Sequence, residues 1–406
     1  MGLVIDQRRI VSTLMISQVL GSAGNVSALT FLGLLAADLT GSDRLAGVPA
    51  ATLTLGTAFL AAPLARRAIR RGRRAALATG YLIGGLGAFA SFLAGESGVF
   101  ILLIVALLAL GGTQAAGLQT RFAAADHAPP DGRARAISLV VWVAAFGGVL
   151  GPSLAKWEND LGVSVGLRPW VSPLLVAGLL SLLAAAAVSI RLSAEPAVGG
   201  LPVAPRWKNT WAAVRVNRPA LLGMATVALS QAAMVAIMTM TPLHMRDHGQ
   251  AELSGFVIAL HVFGMFGLAP LVGRAVDRFG AYRAIKTGAA ILGAGVLVSV
   301  VAGYQPALIF IGLFLLGLGW NFGLIAGSTL LTSSIDSTHR LSAQGMSDTL
   351  LSVLGGFAAL SSGFIKQGWG FHWLANLAFA LAATVMVSAV FVQLRTQGSQ
   401  GHTVSL

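Results

Sequence analysis

The sequence predicts an all-α integral membrane protein with twelve transmembrane helices in two six-helix, pseudo-symmetric halves. Three observations lead there. Charged residues make up only 10% of the 406 while hydrophobic ones make up 56%, and the mean hydropathy is +0.80. A soluble domain carries about 25% charged residues, so lipid must be the solvent for most of this surface. Apolar runs of span length recur twelve times, and a polar stretch divides them six and six.

Reading runs between charges and Gly/Pro clusters predicts spans at 10–36, 44–65, 75–95, 99–122, 135–156 and 171–191. The second set is 218–243, 252–272, 283–303, 306–331, 342–366 and 371–394. Each approaches the roughly 20 residues a bilayer demands. The segment between holds Glu195-Pro196, Gly199-Gly200, Pro202 and Pro205. It reads as a cytoplasmic linker, 192–217, joining an N-terminal bundle, 1–191, to a C-terminal bundle, 218–406. The run after Arg8-Arg9 is long enough to be a retained first span rather than a cleaved signal. The 50 glycines suit membrane helices, whose backbones approach closely at small residues.

The net charge of +13 would suggest nucleic acid in a soluble protein. Here its distribution is a topology signal, and no nucleic-acid partner is expected. With the N-terminus inside, 22 of the 27 Lys and Arg fall on the inner side. The outer side keeps Arg44, Lys156, Arg168, Arg246 and Lys366. That bias places both termini in the cytoplasm, with the lipid bilayer of a bacterial inner membrane as the surroundings. The chain has no cysteine, which excludes disulfides, thiolate ligands and thiol nucleophiles. No phosphate-binding loop and no cluster of catalytic groups is present, so neither an enzyme nor an ATP-driven pump is expected, and no cofactor.

The two halves carry matching loops. After the second span comes Ala65-Arg66-Arg67-Ala68-Ile69-Arg70-Arg71-Gly72-Arg73-Arg74; after the eighth comes Gly273-Arg274-Ala275-Val276-Asp277-Arg278-Phe279-Gly280-Ala281-Tyr282-Arg283. The second resembles the G-x-x-x-D-R-x-G-x-x-R motif of the major facilitator superfamily. The first resembles it at Arg70, Gly72, Arg73 and Arg74 but departs at Ala65 and Ile69, where the family has Gly and Asp. The resemblance covers nearly the whole chain and implies a carrier that alternates access between two halves. It also implies a conformational latch formed by Gly273, Asp277, Arg278 and Gly280, with Arg70 in the first half. Asp348, near the inner end of the eleventh span, is expected to pair with the Arg66–Arg74 loop and compensate for Ile69. Gly147 to Pro152 contains the G-x-x-x-G-P element that the family associates with antiporters. Physically it is a close helix contact.

The stretch 224–265 holds six of the ten methionines and three of the seven histidines. Met234 and Met238 are four apart, as are His261 and Met265, so each pair shares a helix face. The pairs sit in the central parts of consecutive spans. Thioether sulfur selects soft ions, Cu(I) above all, and imidazole also binds copper. Ionisable residues within a span are costly and functional by default. Met234, Met238, His261 and Met265 are therefore the expected ligands. His244, Met245 and His248, read as an outer loop, with Met240 below them, form an expected entry site; Arg246 among them opposes a cation. M-x-x-x-M followed by H-x-x-x-M resembles the copper importers of the CcoA type, a branch of the superfamily. That resemblance implies copper as transported substrate, supply to cytochrome oxidase assembly, and a cytoplasmic copper acceptor or chaperone as partner.

Gln18, Asn25, Gln114, Gln231 and Asn321 are expected to bond across helices, and Arg121 to snorkel at the inner end of the fourth span. One alternative is a proton-coupled exporter of a small organic solute or drug, which needs a protonatable carboxylate in the cavity. Another, of a different class, is a membrane haem protein with His261 or Met265 as axial ligand.

Overall fold

A computed structural model describes residues 2–41, 45, 47–192, 206–247, 254–302 and 305–401. Nearly all of them are helical. The helices are α1 (Gly2–Thr40), α2 (Val48–Ser97), α3 (Phe100–Asp126), α4 (Arg133–Ser164), α5 (Ser172–Arg191), α6 (Trp207–Val216) and α7 (Arg218–Asp247). They continue as α8 (Ser254–Val262), a π-turn (Phe263–Gly267), α9 (Ala269–Phe279), α10 (Ala281–Val301), α11 (Pro306–Ser334), α12 (Ser337–Trp369) and α13 (Phe371–Gly401). Ten helices among the described residues are long and apolar enough to cross a membrane. The second crossing of α2 and the single crossing of α4 complete the twelve, and α8, the π-turn and α9 together form one span.

The 50 residues of α2 contain two spans because the chain leaves helical geometry at Gly72, with φ 80° and ψ 167°. Gly280, between α9 and α10, has φ 84° and ψ 154°. A residue with a Cβ is strained in that left-handed region, and glycine is not. The same turn thus stands between the second and third spans of each half, which gives the sequence repeat its structural meaning.

Two compact units emerge from the packing. The first comprises Met1–Ala128, Val143–Trp207 and Gln344–Val353; the second comprises Pro129–Trp142, Lys208–Ala343 and Leu354–Leu406. The first half of the sequence therefore lends the beginning of α4 to the second unit, and the second half lends an internal segment of α12, Gln344–Val353, to the first. In the first unit α1, α2, α3 and α5 enclose a core that includes Leu32, Leu35, Leu53, Leu103, Leu107 and Leu110. In the second, α11 is central: α7, α8, the π-turn and α10 all pack on it. With lipid outside as apolar as the core, this association rests on close van der Waals packing. Exposed Leu55, Phe59, Leu86, Phe357 and Phe364 face outward, as a lipid-immersed surface requires.

Two expectations change. The interval expected to be linker contains α6, and Asn217 caps the helix that follows, its Oδ1 accepting from the Ala220 N–H at 3.0 Å. The stretch around Met245 is not a loop: α7 continues to Asp247, so His244 and Met245 are helical. Residues 193–205 lie outside the described residues.

Replacing Gly72 or Gly280 by Ala is expected to destabilise the protein by about 1 kcal/mol or more, seen as a lower melting temperature in detergent. Gly368→Ala, at a site with open space and no positive φ, is the control with little effect.

Candidate functional site

In the second unit, α7 and α8 meet the central α11 at one depth. Gly223 faces the Gly327 carbonyl, Gly323 faces Ser230, and Trp320 bonds Gln231. This antiparallel register places Met234 level with Gly317 and Met238 level with Leu313. From the other side, His261 reaches the same two residues. Its Nδ1 lies 2.8 Å from the Leu313 carbonyl oxygen. A Cβ added at Gly317 would stand 3.2 Å from that Nδ1 and 3.0 Å from the Met265 backbone nitrogen. Gly317 is thus the gap that lets α8 close on α11.

A carbonyl only accepts, so Nδ1 carries the imidazole proton and Nε2 presents its lone pair. His261 is 0% exposed, and among the described residues its Nε2 has no hydrogen-bond partner. A carbonyl that fixes the tautomer while the second nitrogen stays free is the arrangement found behind metal-ligating histidines. Met234 is buried, and Met238 and Met265 are half-buried. Among the described residues no group of three or more His, Cys, Asp or Glu could hold a metal. An ion here would therefore depend on thioethers beside the single imidazole.

The π-turn follows directly. Pro270, in the first turn of α9, has no N–H to give the Phe266 carbonyl, and its ring crowds it, so the helix widens over Phe263–Gly267. The widened turn carries Met265 and Phe266. Phe266 meets Trp320 edge-on at 5.6 Å, and the indole N–H of Trp320 donates to Gln231 Oε1 at 2.6 Å. Asn321 Nδ2 donates weakly to the Gly264 carbonyl at 3.5 Å. Neither Trp320 nor Phe266 stood out in the sequence, because a lone aromatic in an apolar span carries no periodic signal.

Of the expected entry residues, Met245 is fully buried rather than solvated and Met240 is half-buried. His248 lies outside the described residues, and only the backbone of His244 is described.

The latch residues fall into two sets. In the second unit the Asp277 carboxylate accepts from the Ala134 and Arg135 N–H groups, at 3.1 and 3.0 Å. An acid on the first amides of α4 satisfies orphan donors and complements the helix dipole. Gly273 leaves room for Ser138 and the Ala134 carbonyl; Arg278 is exposed beside Phe279, and Gly280 makes the turn. In the first unit the equivalent glycine has moved to the facing helix: Gly345 packs against Ala65. Ile69 is buried and cannot cap, and polar pairs replace it. Arg73 donates to Asp126 at 2.6 Å and also to Gln344. Asp348 pairs with Arg121 at 2.5 Å rather than with the Arg66–Arg74 loop. Arg121 does not snorkel: only 2% of its side chain is exposed, and it also donates to the Leu118 carbonyl. Arg70 is exposed and joins no ion pair among the described residues.

Gly147 and Gly151 bring α4 onto α1, where added Cβ atoms would stand 2.7 Å from the Ala23 nitrogen and 3.0 Å from the Ser27 nitrogen. Beyond them Glu158, 4% exposed, accepts from the Ser27 hydroxyl.

Comparison with known proteins agrees with this architecture. The model of the Major Facilitator Superfamily matches residues 14–269 and 245–403. The chain belongs to the Major Facilitator Superfamily. It is 38% identical over 371 residues, 89% of this chain and 86% of the relative, to the uncharacterized MFS-type transporter YdeG of Bacillus subtilis (strain 168). It is 28% identical over 407 residues, 97% of each chain, to the riboflavin transporter RfnT of Brucella anthropi. A bacterial homologue of the iron transporter ferroportin, solved in an outward-facing state, superposes with TM-score 0.77 at 14% identity, covering 94% of this chain and 98% of that one. The E. coli fucose:proton symporter FucP gives 0.74 at 15%, covering 96% and 99%. The structural likenesses establish the fold alone. The protein is a multi-pass membrane transporter of this family.

Removing one member of a buried ion pair costs about 3–5 kcal/mol, because the other charge stays buried. Asp348→Ala and Arg121→Ala are each expected to lower the melting temperature in detergent strongly. The double variant should lose less than the two single losses together, and a thermal double-mutant cycle measures the difference.

Proposed function

We propose that this carrier moves copper, as Cu(I), into the cell, with Met234, Met238, His261 and Met265 as its transient ligands. The observation that carries the reading is the His261 Nε2: enclosed, unpartnered, and presented as a lone pair by the Leu313 carbonyl. An atom with no exposed surface opens to cargo only as the helices part, and a small ion needs the least opening. The only sulfur offered to an ion is thioether, since the chain has no cysteine. Thioether and imidazole select a soft monovalent ion. All four ligands are neutral, which keeps the ion's entry into the bilayer's depth from adding a buried anion. Discontinuity in the spanning helix, here the π-turn at Phe263–Gly267, is a recurrent feature of transporter sites. On this reading the carrier feeds copper to a cytoplasmic acceptor for cytochrome oxidase assembly. The entry role of Met240, His244, Met245 and His248 requires the buried Met245 to become exposed during the cycle.

A second reading has its own observation. The Trp320 indole is buried with its N–H on Gln231 and its ring against Phe266, and it becomes an aromatic surface for a cargo only if this packing opens during the cycle. RfnT, alike over its full length, is a riboflavin transporter. A planar heteroaromatic solute is the organic cargo such a surface suits.

Uptake by whole cells at equal expression separates the two. Radioactive copper uptake is expected to fall in His261→Ala and Met234→Ala by more than the roughly 10–100-fold typical of losing an outer-shell partner, and less in Met245→Ala. Riboflavin uptake should be absent. Unchanged copper uptake in His261→Ala, or riboflavin uptake that depends on Trp320, overturns the copper reading.

A further inference from the structure

The first loop motif carries four arginines that the latch does not use. Arg66 and Arg70, and likewise Arg67 and Arg71, are four apart on α2 and share a face. Together they line a cleft of about 470 Å³ whose other walls are Pro63, Leu64 and Thr79 with Leu60 and Ile83. Among the described residues none of the four pairs with a carboxylate. Arg73 in the same loop shows the contrast, with Asp126 provided for it. Arg67 is additionally tied across the Gly72 turn, its Nε donating to the Ala75 carbonyl at 3.3 Å.

A loop serving topology alone needs only solvated charge. Here the charge opens onto an apolar wall. Leu60 and Ile83 also line a second cavity, of about 570 Å³, with Leu55, Phe59 and Leu108, several of which are exposed toward the lipid side. The basic cleft and the apolar cavity therefore adjoin at Leu60 and Ile83, the charged side of one beside the apolar wall of the other.

We propose that this groove binds an anionic phospholipid. Its phosphate is held by Arg66, Arg67, Arg70 and Arg71, and an acyl chain lies along Leu60, Ile83 and Phe59. Guanidinium matches a phosphate bidentately and is weakly hydrated, which suits the membrane interface. Clustered basic residues at the inner end of spanning helices attract anionic head groups. A zwitterionic lipid would bring an ammonium into a field of four uncompensated cations. The apolar cavity also touches Thr349 and Val353, on the α12 segment that Asp348 ties to Arg121. A seated lipid thus packs against that tied segment and stabilises it.

The test is lipid binding to the purified full chain in detergent, read by native mass spectrometry and by melting temperature. Dioleoyl phosphatidylglycerol is expected to bind and raise the melting temperature; dioleoyl phosphatidylcholine is expected to do neither. Dihexanoyl phosphatidylglycerol and inorganic phosphate should bind at least roughly tenfold more weakly, since they lack the long chains. Changing Arg66, Arg67, Arg70 and Arg71 together to Gln should abolish the preference for the anionic lipid. Changing exposed Arg206, Lys208, Arg215 and Arg283 together to Gln should preserve it. Equal binding of the two dioleoyl lipids, full retention in the first fourfold variant, or phosphate binding as tightly as the long-chain lipid each overturns the proposal. The head-group and chain-length comparisons use the unmodified protein, so they decide the matter even if that variant does not fold.

Discussion

Hydrocarbon offers no hydrogen bond, so every polar group taken into the bundle must meet its partner there. The Arg121–Asp348 pair shows what that demands. Both side chains are sealed from solvent, and the guanidinium satisfies itself further on the Leu118 carbonyl and over the Phe122 ring at 4.4 Å. With a charge buried on α3, the segment of α12 bearing Asp348 has one place to pack, and it becomes part of the first unit. Arg73, Asp126 and Gln344 tie the same segment a turn away. In the second unit the amides at the start of α4 supply the donors and Asp277 the acceptor. The two corresponding loops are thus tied by different chemistry, since the buried Ile69 cannot accept from amides as Asp277 does.

Close packing accounts for the rest of the scaffold. Because lipid competes on equal terms with apolar side chains, helices associate where small residues let backbones touch. Gly317 is the position where this reaches the site. It admits the α8 backbone, sets the Leu313 carbonyl against the imidazole, and so determines which ring nitrogen is free. Pro270 then widens the helix over the turn that carries Met265 and Phe266, and Phe266 meets Trp320 of α11. The ion reading and the aromatic-solute reading attach to the same few turns of α7, α8 and α11. They differ in whether the cargo reaches the sealed imidazole or the braced indole.

The arginines of the first loop divide in a similar way. Arg73 turns inward to an acid, whereas Arg66, Arg67, Arg70 and Arg71 line a cleft without one. Six arginines within nine residues, counted in the sequence, looked like a single topology signal. Packing divides five of them between two places, Arg73 at an internal tie and the other four along a charged cleft.

The membrane class, the twelve spans, their grouping in sixes and the paired loop motifs followed from the sequence alone, because a bilayer imposes run length and charge placement on a chain locally. The Met and His pairs could be picked out by their i and i+4 spacing, but the π-turn that carries Met265 could not. Partner choice was not legible. That Asp348 meets Arg121, that Gly345 stands in for the glycine missing at Ala65, and that Met245 is buried in a helix depend on residues far apart in the chain. Sequence spacing carries no information on which helices touch or at what depth. The tautomer of His261 belongs with them, because only the packing of α8 on α11 selects which nitrogen the Leu313 carbonyl engages.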